Sequence, residues 1–132
     1  MQTRIHVQDF HGDRVVEDEN QLLRVLSQRY GDDSNLFTLS DESVAYPWLN
    51  AFVRKDLAVL YYLPTEQEML ASVGNVECEE EALKFHDNEA GRHWLPAEQF
   101  IPWASAFTCI QEFCNTLSLP TAIEWRRQLL GS

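Results

Sequence analysis

The sequence predicts an α+β domain in which a twisted antiparallel sheet of about five to seven strands carries two main helices. Two segments, one near each end of the chain, have apolar residues at helical spacing. Between them lie several short segments with the two-residue alternation of strands. At 132 residues, 45% of them apolar, the chain has the usual size of one domain and can fill one core. We therefore expect residues 1–132 to form a single domain.

The first predicted elements are a hairpin and a helix. Residues 3–8 alternate weakly and meet a Gly-containing turn, after which two valines indicate a returning strand. Asp18 and Gln21 have the spacing of a capping box, leucines follow on one helical face, and Gly31 is suited to end a helix. These signals predict a helix over residues 19–30.

The middle of the chain is predicted to be mostly strand. In Leu57–Leu63 both alternating sets of side chains are apolar, which places this strand inside a sheet with at least partial cover on both faces. The other strands predicted here are Leu36–Leu39, Trp48–Val53, Met69–Val73 and Ala82–His86.

The second helix is predicted to begin at Pro102 and to end near Leu117. From Trp103 onward, apolar or small residues fall on one face, as in a helix that covers a sheet. Pro102 suits the first turn because its missing N–H would have no partner there, and Pro120 prevents the helix from continuing. A short strand or tail follows, in which Trp125 is expected to fill the core.

Negative charge is concentrated in one third of the sequence. The net charge is −11, and residues 56–91, with nine acids and one base, hold −8 of it. This distribution disfavours nucleic acid or an anionic membrane as a ligand, because a polyanion would be repelled. It favours a basic partner, while acidity that serves only solubility is the competing explanation.

The sequence indicates a cytoplasmic protein with reduced thiols. No apolar run is long enough to cross a bilayer, and the N-terminal residues lack the apolar core of a secretory signal. Three cysteines cannot all pair, and Cys109 and Cys114 project in different directions from the predicted helix. A disulfide framework is therefore not expected.

No catalytic, metal or cofactor site is predicted. The four histidines lack the i, i+4 spacing of a helical zinc site, and Cys109 and Cys114, with four residues between them, project in different directions from the predicted helix. A Cys78 nucleophile with His86 or His93 is disfavoured, because the neighbouring glutamates oppose formation of a thiolate. The dispersed glycines form no phosphate-binding loop. We therefore expect no enzymatic activity.

The remaining candidate is an interaction surface. The loop Asp41–Trp48 combines acids with Tyr46 and Trp48, and the loop Pro64–Glu68 places Glu66 and Glu68 after two tyrosines. Acids beside aromatic residues suit a basic partner with a cleft. Trp48 could instead face the core, and Trp94 could cap an open edge of the sheet. The predicted partner-binding residues are Asp41, Glu42, Tyr46, Trp48, Glu66, Glu68, Glu77, Glu79, Glu80 and Glu81.

Two groups of packing and turn residues carry a family resemblance. The C-terminal group is Ile101, Pro102, Trp103, Ala104, Ala106, Phe107, Phe113, Leu119, Pro120, Ile123, Glu124 and Trp125. The central group is Asn50, Phe52, Asp56, Ala58, Leu60, Tyr61, Tyr62, Leu63, Ser72, Val73 and Gly74. Over roughly residues 34–126 the chain resembles the Imm-one type immunity proteins of bacterial polymorphic toxin systems. The N-terminal part and the run Glu77–Glu81 match no motif.

The resemblance implies a small cytoplasmic protein encoded beside a toxin, often a nucleic-acid deaminase. Such a protein binds its cognate toxin domain one to one and blocks the active site or substrate groove. A toxin that acts on DNA or RNA needs a positive groove, which an acidic protein can occupy in place of nucleic acid. Two alternatives stay open: a small stand-alone enzyme with an acidic cleft for a cationic substrate, and a generic acidic adaptor.

Overall fold

An eight-stranded antiparallel sheet is the centre of the computed structural model, which describes residues 4–30, 33–86 and 92–128. Its order is β10-β6-β5-β4-β3-β1-β2, with β9 beside β5, and β7 and β8 form a separate two-stranded ribbon. The strands are β1 (Ile5–Asp9), β2 (Gly12–Val16), β3 (Ser34–Asp41), β4 (Trp48–Arg54), β5 (Leu57–Thr65), β6 (Glu68–Ser72), β7 (Ala82–His86), β8 (Arg92–Pro96), β9 (Ile101–Pro102) and β10 (Trp125–Gln128). The α-helices of the described ranges are α1 (Glu19–Leu26) and α2 (Trp103–Thr116), and a short 3-10 helix covers Ala97–Gln99. No helix of these ranges is long and apolar enough to cross a membrane.

Both helices pack on one face of the sheet, where they build the larger core. Trp103 and Phe107 of α2 lie partly buried at its margin, and Trp125 of β10 packs against it with its indole nitrogen donating to the Pro120 carbonyl at 2.8 Å. The predicted apolar face of the second helix is therefore confirmed. The helical residues buried in this core are Leu22, Val25, Leu26, Ala106, Cys109, Ile110, Phe113 and Cys114.

The ribbon β7–β8 covers part of the opposite face and forms a second core. Phe52 of β4 and Val59 of β5 pack there with Phe85, Leu95 and Phe100. Because Ala58 and Leu60 face the helices while Val59 faces the ribbon, β5 has cover on both sides. The prediction of an interior strand apolar on both faces is confirmed.

The first helix is shorter than the predicted 19–30. Its N-terminus is as predicted, since the Asp18 carboxylate accepts from the Gln21 N–H at 2.9 Å. It ends at Leu26, because the chain must then turn toward β3. There the buried Asn35 side chain donates to the Gln28 carbonyl at 3.0 Å, and this polar contact replaces further helical bonds.

The second helix begins and ends where the sequence predicts. Pro102 is its N-cap and also pairs with Leu57 of β5, while the Trp103 N–H donates to the Asp56 carbonyl at 2.7 Å. At the other end Leu117 is in the left-handed region with φ 54°. The helix is thus anchored to the turn between β4 and β5.

The sheet has more strands than predicted, and β7 is not part of it. Ser72 at the end of β6 links the segment after β8 to β5, because its hydroxyl accepts from the Leu60 N–H at 3.1 Å and donates to the Gln99 carbonyl at 2.8 Å. Residues 97–102 are thereby drawn to the edge of β5, where β9 pairs. The chain of β7 then folds over the sheet instead of joining it.

Candidate functional site

Two of the predicted interaction segments lie side by side at one end of the sheet. The loop 41–48 joins β3 to β4, and the turn 64–68 joins β5 to β6. Since Trp48 at the start of β4 pairs with Leu63 near the end of β5, both connections leave the sheet at the same end. We call the loop 41–48 together with the turn 64–68 the loop end of the sheet.

The third predicted segment is not part of the loop end. The Glu81 carbonyl accepts from the Ala97 N–H at 2.8 Å, and the neighbouring Glu98 carbonyl accepts from the Gly74 N–H. Gly74 lies two residues after Ser72, the last residue of β6, whereas Glu68 is the first residue of that strand. The length of β6 therefore separates the two regions. The carboxylates left outside the loop end are the exposed side chains of Glu77, Glu79, Glu80 and Glu81.

A stacked aromatic pair lies in the loop end. The rings of Tyr46 and Trp48 have centroids 4.9 Å apart and planes 13° from parallel, and the peptide bond between Tyr46 and Pro47 is cis. Leu49, the next residue of β4, is buried in the core beneath the helices. Because side chains alternate along a strand, Trp48 projects from the other face of the sheet. It is half-buried and belongs to neither core, so it does not fill the interior.

Two acids of the loop 41–48 already have partners within the protein. The Asp41 carboxylate accepts from the Ser43 N–H at 2.8 Å and from the Ser43 hydroxyl at 2.7 Å. These bonds hold the pKa of Asp41 below its ordinary value and fix the start of the loop. Glu42 forms an ion pair with Arg4 at 3.2 Å, and Arg4 also reaches Glu17 at 3.2 Å.

The acids of the turn 64–68 are differently placed. Glu66 and Glu68 are exposed, and no cation of the described residues lies within ion-pair distance of either. The Gln67 N–H donates to the Thr65 hydroxyl at 3.2 Å, which shapes the turn between them. The turn therefore presents two carboxylates whose charge is available to a partner.

A cleft of about 370 Å³ opens beside Trp48 on the face of the sheet away from the helices. Its residues come from β1, β2, β3 and the loop 41–48, which strand pairing across the sheet brings together. Of the lining residues, the sequence indicated only Asp41, Glu42 and Trp48 as site residues. The others could not be found in this way, because no local sequence pattern predicts that β1 pairs with β3. The lining residues are His6, Val15, Ser40, Asp41, Glu42, Val44, Ala45 and Trp48.

Trp94 lies on the ribbon and not at an edge of the sheet. It pairs with Lys84 on the outer side of β7–β8 and is 68% exposed. The edge strands of the sheet are β10 and β2, so the suggestion that Trp94 caps an open edge is wrong.

The two cysteines of α2 are unreactive because they are buried. Cys109 and Cys114 are free thiols inside the helical core, and burial raises the pKa of Cys109 to about 11 and that of Cys114 to about 12. Cys78 is free and half-buried. In residues 4–30, 33–86 and 92–128, no three histidine, cysteine or acidic side chains are grouped so that they could hold a metal ion.

Comparison with known proteins agrees with the family resemblance. The chain is 25% identical over 122 residues to a protein of Burkholderia cenocepacia (strain H111) named "Double-stranded DNA deaminase immunity protein", an alignment that covers 92% of this chain and 98% of the relative. Residues 11–127, which include the loop end and both helices, match the family described as "Immunity protein Imm1". This protein is therefore a member of the Imm1 immunity protein family.

Proposed function

We propose that this protein binds and neutralises a cognate toxin domain, and that the toxin is a nucleic-acid deaminase. The observation that carries the proposal is membership of an immunity protein family over residues 11–127. The name of the Burkholderia relative supports the choice of a deaminase that acts on DNA. Neutralisation is stoichiometric and needs no chemistry by this chain.

The loop end of the sheet is the proposed contact surface. It combines the stacked pair Tyr46 and Trp48 with the available carboxylates of Glu66 and Glu68. Aromatic side chains supply most of the binding energy in many interfaces, while carboxylates orient and attract a basic partner. Both helices are committed to the core, so their apolar faces cannot serve this purpose.

A positively charged substrate groove is the proposed target on the toxin. An enzyme that modifies DNA or RNA contacts a backbone with one negative charge for each phosphate, and its groove must be basic. A protein of net charge −11 is attracted to such a groove and repelled by nucleic acid itself. We therefore expect a one-to-one complex in which substrate entry is blocked.

The acidic run 77–81 has a separate role in this proposal. It lies beyond the opposite end of β6 from the loop end. Its charge adds to the field that steers a basic toxin toward the protein, but the run does not form part of the contact surface. The effect of Glu77, Glu79, Glu80 and Glu81 is then on the association rate and is screened by salt.

Co-expression in bacteria tests the proposal. The toxin domain encoded beside this gene is expressed with the protein, and an unrelated deaminase toxin serves as the specificity control. We expect growth to be restored only with the neighbouring toxin, and the purified pair to bind with a dissociation constant of about 1 nM or lower, equivalent to about −12 kcal/mol. Growth arrest despite normal expression of this protein would contradict the proposal.

A further inference from the structure

We infer that the cleft beside Trp48 receives one lysine or arginine side chain of the toxin. The inference rests on the proposed function, because it identifies the chemistry by which that partner is held. It adds a specific occupant to a surface that is otherwise defined only by its charge and its aromatic pair.

The walls of the cleft suit the aliphatic part of a long cationic side chain. Val15, Val44, Ala45 and Trp48 line it with apolar surface, and Val44 is 52% exposed at its rim. Lysine and arginine bury their methylene groups against such surface while the charged group stays near polar atoms. An indole in the wall also attracts a cation that lies over its ring.

The polar lining of the cleft contains two acids beside His6 and Ser40. Asp41 and Glu42 both line it, and both hydrogen bonds from Ser43 go to the Oδ1 atom of Asp41. The Oδ2 atom has no hydrogen-bond partner among the residues of the described ranges. A carboxylate oxygen is therefore available for a charge-assisted bond to an incoming ammonium or guanidinium group.

Arg4 shows that a guanidinium group fits against Glu42. Its Nε atom lies 3.2 Å from Glu42 and 3.2 Å from Glu17, and its side chain is 58% exposed. This internal cation competes with a cation of the toxin for Glu42. Removing it would free two carboxylates and would cost little stability, since exposed ion pairs contribute about 0–1 kcal/mol.

The first test introduces an arginine of this protein into the cleft by substitution. Ala45→Arg fills the cleft and neutralises its acids, and we expect affinity for the toxin domain encoded beside the gene to fall by about tenfold or more. Ala122→Arg is the matched control, because it adds the same side chain to an exposed loop that precedes β10. The control should bind within about twofold of wild type.

The second test removes the competitor. Arg4→Gln should bind the toxin several-fold more tightly, because the Glu42 carboxylate is then no longer paired with an internal cation. A weaker complex would mean that Arg4 itself contacts the toxin, and the inference would be wrong. Val44→Arg repeats the first test at the rim of the cleft if circular dichroism shows that Ala45→Arg is unfolded.

A double-mutant cycle identifies the occupant. Each lysine and arginine on the toxin surface is changed to alanine and combined with Glu42→Gln. One toxin position should show a non-additive change of about threefold or more with Glu42→Gln, as contacting residues do. If the wild-type proteins do not bind, the proposed function has failed. If they bind while Ala45→Arg has wild-type affinity and no position couples to Glu42, only the cleft has been wrongly assigned.

Discussion

The indole of Trp48 stacks on the phenol ring of Tyr46, with centroids 4.9 Å apart and planes 13° from parallel. The pair stands outside both cores on a face that the ribbon β7–β8 leaves uncovered at this end. Each ring restricts the rotamers of the other. An aromatic surface that is ordered before binding loses less conformational entropy when a partner covers it.

Trp48→Ala should therefore weaken the complex with the toxin without unfolding the protein. We expect dissociation to be faster by about 30-fold, equivalent to about 2 kcal/mol, as for a central aromatic anchor. The association rate should change much less. Surface plasmon resonance with the toxin domain measures both rates, and thermal unfolding of the free variant measures its stability.

Trp94→Ala is the matched control for this variant. Trp94 is 68% exposed on the outer side of the ribbon, away from the loop end. Its removal should leave both rate constants within about twofold of wild type. A complex that depends on Trp94 and tolerates Trp48→Ala would place the toxin on the ribbon.

Glu66 and Glu68 should control the rate of association. Changing both to glutamine removes the two loop-end carboxylates that have no cationic partner in the described part of the chain. We expect association to slow several-fold at low salt. Near 1 M salt, where the Debye length is about 3 Å, the difference from wild type should almost vanish.

The double variant Glu79→Gln with Glu80→Gln is the matched control. It removes the same amount of negative charge as the Glu66 and Glu68 variant, but from the acidic run beyond the other end of β6. Its effect on the association rate at low salt should be smaller than that of the Glu66 and Glu68 pair. Stopped-flow measurements over a salt series compare the two. If the Glu79→Gln, Glu80→Gln variant slowed association as much as or more than the Glu66 and Glu68 variant, the acidic run, and not the turn 64–68, would be the part that approaches the toxin.

Local patterns were sufficient to predict most elements of the fold. The alternation in β5 predicted its interior position, and Pro102 and the apolar stripe predicted the limits of α2. The patterns failed where a single side chain redirects the chain. Asn35 draws the chain out of α1 after Leu26, and Ser72 brings β9 to the edge of β5. Neither hydrogen bond has a signature in the surrounding sequence.

The candidate site was only partly predictable for a related reason. Acids and aromatic residues near each other in sequence indicated the loops 41–48 and 64–68, which the structure places at one end of the sheet, and charge added the run 77–81 to them. The structure separates that run, because β6 lies between them. It also adds His6 and Val15 to the cleft beside Trp48 through pairing of distant strands.

Gly74→Ala should destabilise the protein. A Cβ atom at this position would lie 2.6 Å from the Glu98 carbonyl oxygen and 2.8 Å from the Phe100 nitrogen, and these backbone atoms cannot easily move. We expect a loss of about 1–3 kcal/mol in the free energy of unfolding, as for other overpacked sites. Urea denaturation measures it.

Gly12→Ala is a useful comparison, because nothing lies within 4 Å of its Cβ position and only its positive φ of 105° opposes the change. Comparing the two variants therefore separates the cost of close packing at position 74 from the cost of backbone strain at position 12. If Gly74→Ala were as stable as wild type, the segment after β6 could not lie against residues 98–100 as described.

Thiol reactivity should distinguish the three cysteines. Only the thiolate attacks a disulfide reagent, and with a pKa of about 11 for Cys109 roughly one thousandth of that thiol is ionised at pH 8. Cys114, with a pKa of about 12, is ionised even less. The native protein should therefore react at half-buried Cys78 first, and at the other two only after unfolding in urea. Rapid reaction of three thiols in the native state would contradict the burial of α2.

The measurement that tests neutralisation most directly is a titration of toxin activity. The purified toxin domain, at a concentration well above the expected dissociation constant of about 1 nM, is mixed with increasing amounts of this protein and assayed on its nucleic-acid substrate. We predict that activity falls in a straight line and reaches zero at one equivalent. Full activity in the presence of a several-fold excess of the folded protein would contradict the account.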